Sequence, residues 1–117
     1  MLARANRVVL PADFRAAVRR GRRATTPSAV YYRLATDPVA PMRFGVIVSK
    51  AVGNAVERNT VRRRLKALGR GLVDAGLTGE DVVIRVLPGS ASATWDSLSA
   101  DMRAVLPAPE RLSTETV

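Results

Sequence analysis

The 117-residue chain contains no cysteine and no histidine. Without cysteine there can be no disulfide and no thiolate metal site. Without histidine, the commonest general base, nucleophile activator and metal ligand is missing as well. A hydrolase working through its own side chains would then need paired carboxylates. The ten acidic residues are scattered, and only Glu80 and Asp81 are adjacent. Bond-making chemistry by this polypeptide alone is therefore disfavoured, and no metal ligands or small-molecule cofactor site are expected. Long apolar runs are missing too: arginines interrupt every hydrophobic segment, so none approaches a membrane span. The start, MLARANRVVLPADF, lacks the apolar region and cleavage site of an export signal. The expectation is a cytoplasmic protein without a membrane partner.

What the chain has in excess is positive charge, +9 formally. It is unevenly placed. Residues 1–70 carry sixteen of the nineteen basic side chains and three acids, whereas residues 71–117 carry three basic residues and seven acids. Such asymmetry suggests a polyanionic partner, because each neutralised phosphate releases counterions. Seventeen of the nineteen are arginine. A compositional bias accounts for arginine in place of lysine but not for the surplus of charge.

The length suits one domain, taken as residues 1–107, with a tail over 108–117 expected to be disordered. Pro11–Arg20 reads as a helix with Phe14, Ala17 and Val18 on its apolar stripe. Arg22–Pro27 reads as a polar connection. Ala29–Ala35 and Met42–Ser49 read as strands, close enough in sequence to suggest an antiparallel hairpin across TDPVAP. A long helix follows, ended by glycines near Gly76 and Gly79. Asp81–Leu87 is a third strand, and Ser92–Leu106 a last helix with Trp95, Leu98, Met102 and Val105 inward. The order helix–strand–strand–helix–strand–helix, with room for one further short strand, implies an α+β two-layer sandwich.

The long helix carries the functional signal. Asn54 and Glu57 form a capping-box pattern, and Gly53 permits a tight entry. At 3.6 residues per turn, Val61, Leu65, Leu68 and Leu72 make a narrow core-facing stripe. Arg58, Asn59, Arg62, Arg63, Lys66 and Arg70 take the flank and opposite side, with Arg64 apart on the other border. Arg58, Arg62, Lys66 and Arg70 form an i, i+4 row of like charge without an acid to interrupt it. Each such pair costs a few tenths of a kcal/mol, and a phosphate backbone would reverse the sign. The competing reading is a solvated helix flank. Asn59 is either an exposed residue or a donor to phosphate and 2′-hydroxyl oxygens.

GNAVERNTVRRRLK, preceded by Val48-Ser49-Lys50, closely resembles the signature of the bacterial ribonuclease P protein subunit. That pattern runs Ser-Lys, Gly-Asn-Ala-Val, one variable residue, Arg-Asn, two variable positions and then basic residues. It is matched at Ser49, Lys50, Gly53, Asn54, Ala55, Val56, Arg58, Asn59, Arg62 and Arg63. The likeness extends to an Asp-Phe near the start, a Tyr-bearing strand, an Asp-led strand ending in Pro, and a final amphipathic helix, over about residues 4–106. It implies a sandwich similar to ribosomal protein domains with a left-handed β-α-β crossover. It also implies removal of the 5′ leader from precursor tRNA, with the catalytic centre and Mg²⁺ on a large RNA partner.

Under the resemblance, Lys50, Arg58, Asn59, Arg62, Arg63, Lys66 and Arg70 would face the catalytic RNA. Phe14, Val18, Tyr32, Ser49 and Arg85 would line a cleft for the single-stranded leader, where flat rings stack on unpaired bases. From the residues alone, core packing against the sheet is the preferred reading of Phe14. Three positions depart from the family pattern: Val18 replaces a second aromatic, Leu87 replaces an Arg that Arg85 stands in for, and Lys66 replaces a commoner Arg. Two other readings remain beside this one: a general basic RNA-binding or ribosomal-type protein without a role in tRNA processing, and a protein-only nuclease.

Overall fold

The structure, a computed structural model, describes residues 2–106. In chain order its elements are α1 (Pro11–Arg20), β1 (Arg22–Thr25), β2 (Ala29–Ala35), β3 (Arg43–Ile47), α2 (Ala55–Asp74), β4 (Glu80–Val86) and α3 (Trp95–Val105). Short 3₁₀ turns lie at Arg4–Asn6, Lys50–Val52 and Ser90–Ser92. The expected tail falls outside the described residues.

The sheet order is β1-β2-β4-β3, with β1–β2 and β2–β4 antiparallel and β3–β4 parallel. The expected hairpin between the strands at 29–35 and 42–49 does not form. Its cause is the apolar content of β4. Val82, Val83 and Ile84 are each 0% exposed, and a strand covered on both faces takes the middle of a sheet. The connection after β2 is accordingly stitched to the approach to β4. The Thr36 amide donates to the Gly79 carbonyl at 2.9 Å, and the Gly79 amide to the Ala40 carbonyl at 2.9 Å. The parallel pair β3–β4 joined through α2 is a β-α-β crossover.

Arg22–Pro27 is not merely a connection, since Arg22–Thr25 pairs with β2 as the further short strand. The turn closes on Thr26, whose hydroxyl donates to the Ala29 carbonyl (3.0 Å) and accepts from the Ala29 amide (3.1 Å). The last helix starts later than expected, at Trp95, with Thr94 Oγ1 accepting from the Ser97 amide at 3.1 Å. Trp95 sits on that first turn and stays 45% exposed, outside the core.

Helices cover both faces of the sheet. On one face Tyr31, Phe44, Val82, Ile84 and Val86 meet Val61 and Leu65 of α2 and Leu98 and Met102 of α3. Each such full burial contributes about 1.5–3 kcal/mol. On the other face Val30, Tyr32 and Val83 meet Ala17 of α1, with Phe14, Leu34, Ile47 and Leu87 half-buried around them. An ion pair ties the ends together: Arg43 forks onto Asp81 at 2.8 and 2.6 Å across the parallel pair and reaches Asp13 of α1 at 3.4 Å. Among the described residues no helix is long and apolar enough to cross a membrane.

Candidate nucleic-acid interface

The N-terminus of α2 is built as the sequence predicts. The Glu57 amide donates to Asn54 Oδ1 at 2.8 Å, and the Asn54 amide donates to Glu57 Oε1 at 2.9 Å. A Cβ on residue 53 would stand 2.6 Å from Glu57 Oε1. Glycine here lets the capping carboxylate fold close over the backbone, and a larger residue would push the end of the Glu57 side chain aside. This junction fixes where the basic side chains of α2 begin.

Along α2, Arg58, Arg62 and Lys66 are half-buried, while Asn59, Arg63 and Arg70 are exposed. The Arg58 Nε is buried and has no hydrogen-bond partner. Asn59 and Arg62 do not act separately, because Arg62 Nη1 donates to Asn59 Oδ1 at 2.7 Å. Arg64 turns away and donates to the Ala93 carbonyl at 3.0 Å. One part of the sequence reading needs correction: Arg70 is neutralised by Asp74 one turn on, at 3.2 Å. The unneutralised row is thus Arg58, Arg62 and Lys66. The Lys66 ammonium is held below the usual lysine range, by desolvation first and then by the charges of Arg62 and Arg7.

Arg7 went unnoticed in the sequence, for its segment has no periodicity to place it. In the fold it bridges in parallel to Phe44, and the adjacent Val8 amide donates to the Phe44 carbonyl at 2.9 Å. Its side chain thereby stands beside α2. A hollow of about 550 Å³ is lined by Leu2, Arg7, Asn59, Arg62, Arg63, Lys66 and Ala67. A second, of about 280 Å³, shares Arg7, Arg62 and Lys66 and continues over Val8, Gly45 and Val46 to Phe14. A third shares Phe14 and runs on past Arg15, Val18, Arg19 and Ile47. The three adjoin as one trough that starts at the basic flank and runs past the aromatic ring.

Phe14 packs closely on β3 because residue 45 has no side chain. A Cβ there would sit 2.5 Å from Phe14 Cε1 and 2.8 Å from Cζ. The ring packs on the α1-side core and also borders the trough. Val18 is 39% exposed on the rim. Tyr32 differs: it is 5% exposed, and the Arg85 guanidinium stands 5.8 Å from its ring centroid. Tyr32 therefore supports an exposed arginine and offers little open face for stacking. Ser49 and Lys50 are exposed on the turn between β3 and α2, and line none of these three hollows.

An unneutralised cationic flank, continuous with a groove holding one accessible ring, suits a flexible phosphate-bearing strand. Fold and face together define a class: a small basic α+β protein that binds RNA. Comparison with known proteins makes this specific. The ribonuclease P family model matches residues 2–109. The ribonuclease P protein component of Clavibacter michiganensis is 57% identical over 102 residues, covering 87% of this chain and 90% of that protein. That of Pseudarthrobacter chlorophenolicus is 47% identical over 106 residues, covering 91% and 78%. The solved ribonuclease P protein of Staphylococcus aureus superposes with a TM-score of 0.78 at 23% identity, covering 88% of this chain and 94% of that one. The chain belongs to the ribonuclease P protein family.

Proposed function

We propose that this chain docks the catalytic RNA of ribonuclease P on the α2 flank and receives the 5′ leader of precursor tRNA in the trough past Phe14. The observation that carries the reading is the continuity of the trough, which joins Arg62 and Lys66 to Phe14 through shared walls. Arg58, Asn59 and Arg63 meet phosphates and sugar hydroxyls of the catalytic RNA, with Lys50 and Arg70 at the margins, and Arg62 and Lys66 stand where that flank opens into the trough. Phe14 stacks on a leader base, Val18 and Ser49 flank the path, and Arg85, braced on Tyr32, meets a phosphate. The hydrolytic centre belongs to the RNA, and the holoenzyme works in the cytoplasm.

Mg²⁺ enters this proposal as an ion held by the RNA. Among the described residues no three acidic side chains gather as metal ligands, and a cationic face repels a dication. No step is derived through a metal bound to this chain.

The test compares Phe14→Ala with the parent protein in the reconstituted holoenzyme, using precursor tRNA with its leader and mature tRNA without it. Affinity for the precursor falls about tenfold, the worth of one base–aromatic stack, and affinity for mature tRNA is unchanged. Equal losses for both ligands would place Phe14 in the core alone and overturn its leader role.

A further inference from the structure

We propose that Arg7, Arg62 and Lys66 form a single phosphodiester site at which the leader strand passes from the aromatic cleft onto the basic flank of α2. The proposal rests on the leader-binding reading above and adds Arg7, whose place no motif predicts.

Three observations converge. First, these three cations are the walls common to the two larger segments of the trough. A strand threading it must pass all three. Second, Arg7 does not belong to a loose terminus. Leu2 is buried in the core, Asn6 Nδ2 donates to the Met42 carbonyl at 2.8 Å, and the Val8 amide donates to the Phe44 carbonyl. The backbone is pinned on either side of an exposed Arg7, so its side chain starts from a fixed place beside α2. Third, the arrangement gains the free protein nothing. No acid pairs with Arg7, Arg62 or Lys66 among the described residues, whose ion pairs lie at Arg33, Arg43 and Arg70. Burial, Arg62 and Arg7 all disfavour the charged form of Lys66. A bound anion reverses the two charge terms, since each repulsion becomes a shared attraction to one oxygen cluster.

The open ends of the trough select the anion. A carboxylate or a free phosphate would suit a closed pocket, whereas a passage leading on to Phe14 fits a phosphate within a strand. Arg62 keeps further N–H donors after serving Asn59, and Arg7 offers a second planar fork.

Two measurements test this independently. In the free protein, NMR resolves the Lys66 side chain readily because Lys50 is the only other lysine. The Lys66 pKa rises towards the ordinary lysine value in Arg7→Gln, and in the parent protein it rises when a short single-stranded oligonucleotide binds. A Lys66 that responds to neither overturns the site. In the reconstituted holoenzyme, Arg7→Gln lowers affinity for leader-bearing precursor about tenfold, Arg7→Lys recovers most of it, and mature tRNA binds as before. Equal loss for both ligands assigns the phosphate to the catalytic RNA and overturns the leader site. Should the parent protein fail to support leader cleavage at all, the proposed function fails, while the NMR result still decides whether the anion site exists.

Discussion

Gly45→Ala tests whether the aromatic cleft is floored as described. The new methyl would start 2.5–2.8 Å from two Phe14 ring atoms and 3.1 Å from Val8 Cβ, where carbon pairs prefer about 3.5–4 Å. The ring must withdraw by about 1 Å. It can do so, because its far edge borders the open trough, so the cost falls at the low end for overpacking, about 1–2 kcal/mol. For a chain of this size that lowers Tm by about 4–8 °C. Denaturant unfolding at constant m-value reads the change directly. The decisive comparison is a double-mutant cycle with Phe14→Ala. With the ring gone the methyl has room, and Gly45→Ala becomes nearly neutral, giving a coupling of about 1–2 kcal/mol. Equal costs in both backgrounds would refute the packing of Phe14 on Gly45.

Replacing both Arg58 and Arg63 with alanine reduces the slope of log affinity against log salt for the catalytic RNA by about 1.4–1.8, or 0.7–0.9 per phosphate; an unchanged slope would make this side of the helix a solvated flank. Asp81→Asn leaves the 3.4 Å contact to Asp13 as the one ion pair of the Arg43 guanidinium among the described residues. Chemical denaturation should register a loss of about 1–3 kcal/mol, limited by the partial exposure of Arg43. Tyr31→Phe removes a buried hydroxyl that has no hydrogen-bond partner, so stability at neutral pH rises by about 1 kcal/mol. Burial, and then the charge of Asp101, raises the Tyr31 pKa. Above about pH 10 the unfolded chain therefore loses this proton first, and stability falls with rising pH; a pH titration of stability checks that Tyr31→Phe loses that component.

The parts of the molecule legible in sequence were those fixed by local chemistry. The capping box at Asn54 and Glu57, the Val61–Leu65 stripe and the limits of α1 follow from residues within a turn or two of each other. Strand pairing is non-local. The hairpin inferred from short separation lost to β4, whose wholly apolar centre requires a partner on each side. The row of like charge expected on α2 extends over Arg58, Arg62 and Lys66 but not to Arg70, which Asp74, an i+4 partner beyond the motif, pairs with. Arg7 was invisible because it reaches α2 only through backbone pairing with Phe44. Tyr32 could be assigned to the cleft side of the sheet, but its cover by Arg85 depends on the β2–β4 register.

Whether this chain assists a catalytic RNA, as proposed, or cuts RNA itself is open to direct measurement. The most direct measurement is 5′-leader removal from precursor tRNA at low Mg²⁺ by the protein alone, by the cognate RNA alone and by the two together. The expected result is no cleavage by the protein, slow cleavage by the RNA, and fast, correctly positioned cleavage by the mixture. Cleavage by the protein alone, or a mixture no faster than the RNA, would contradict it.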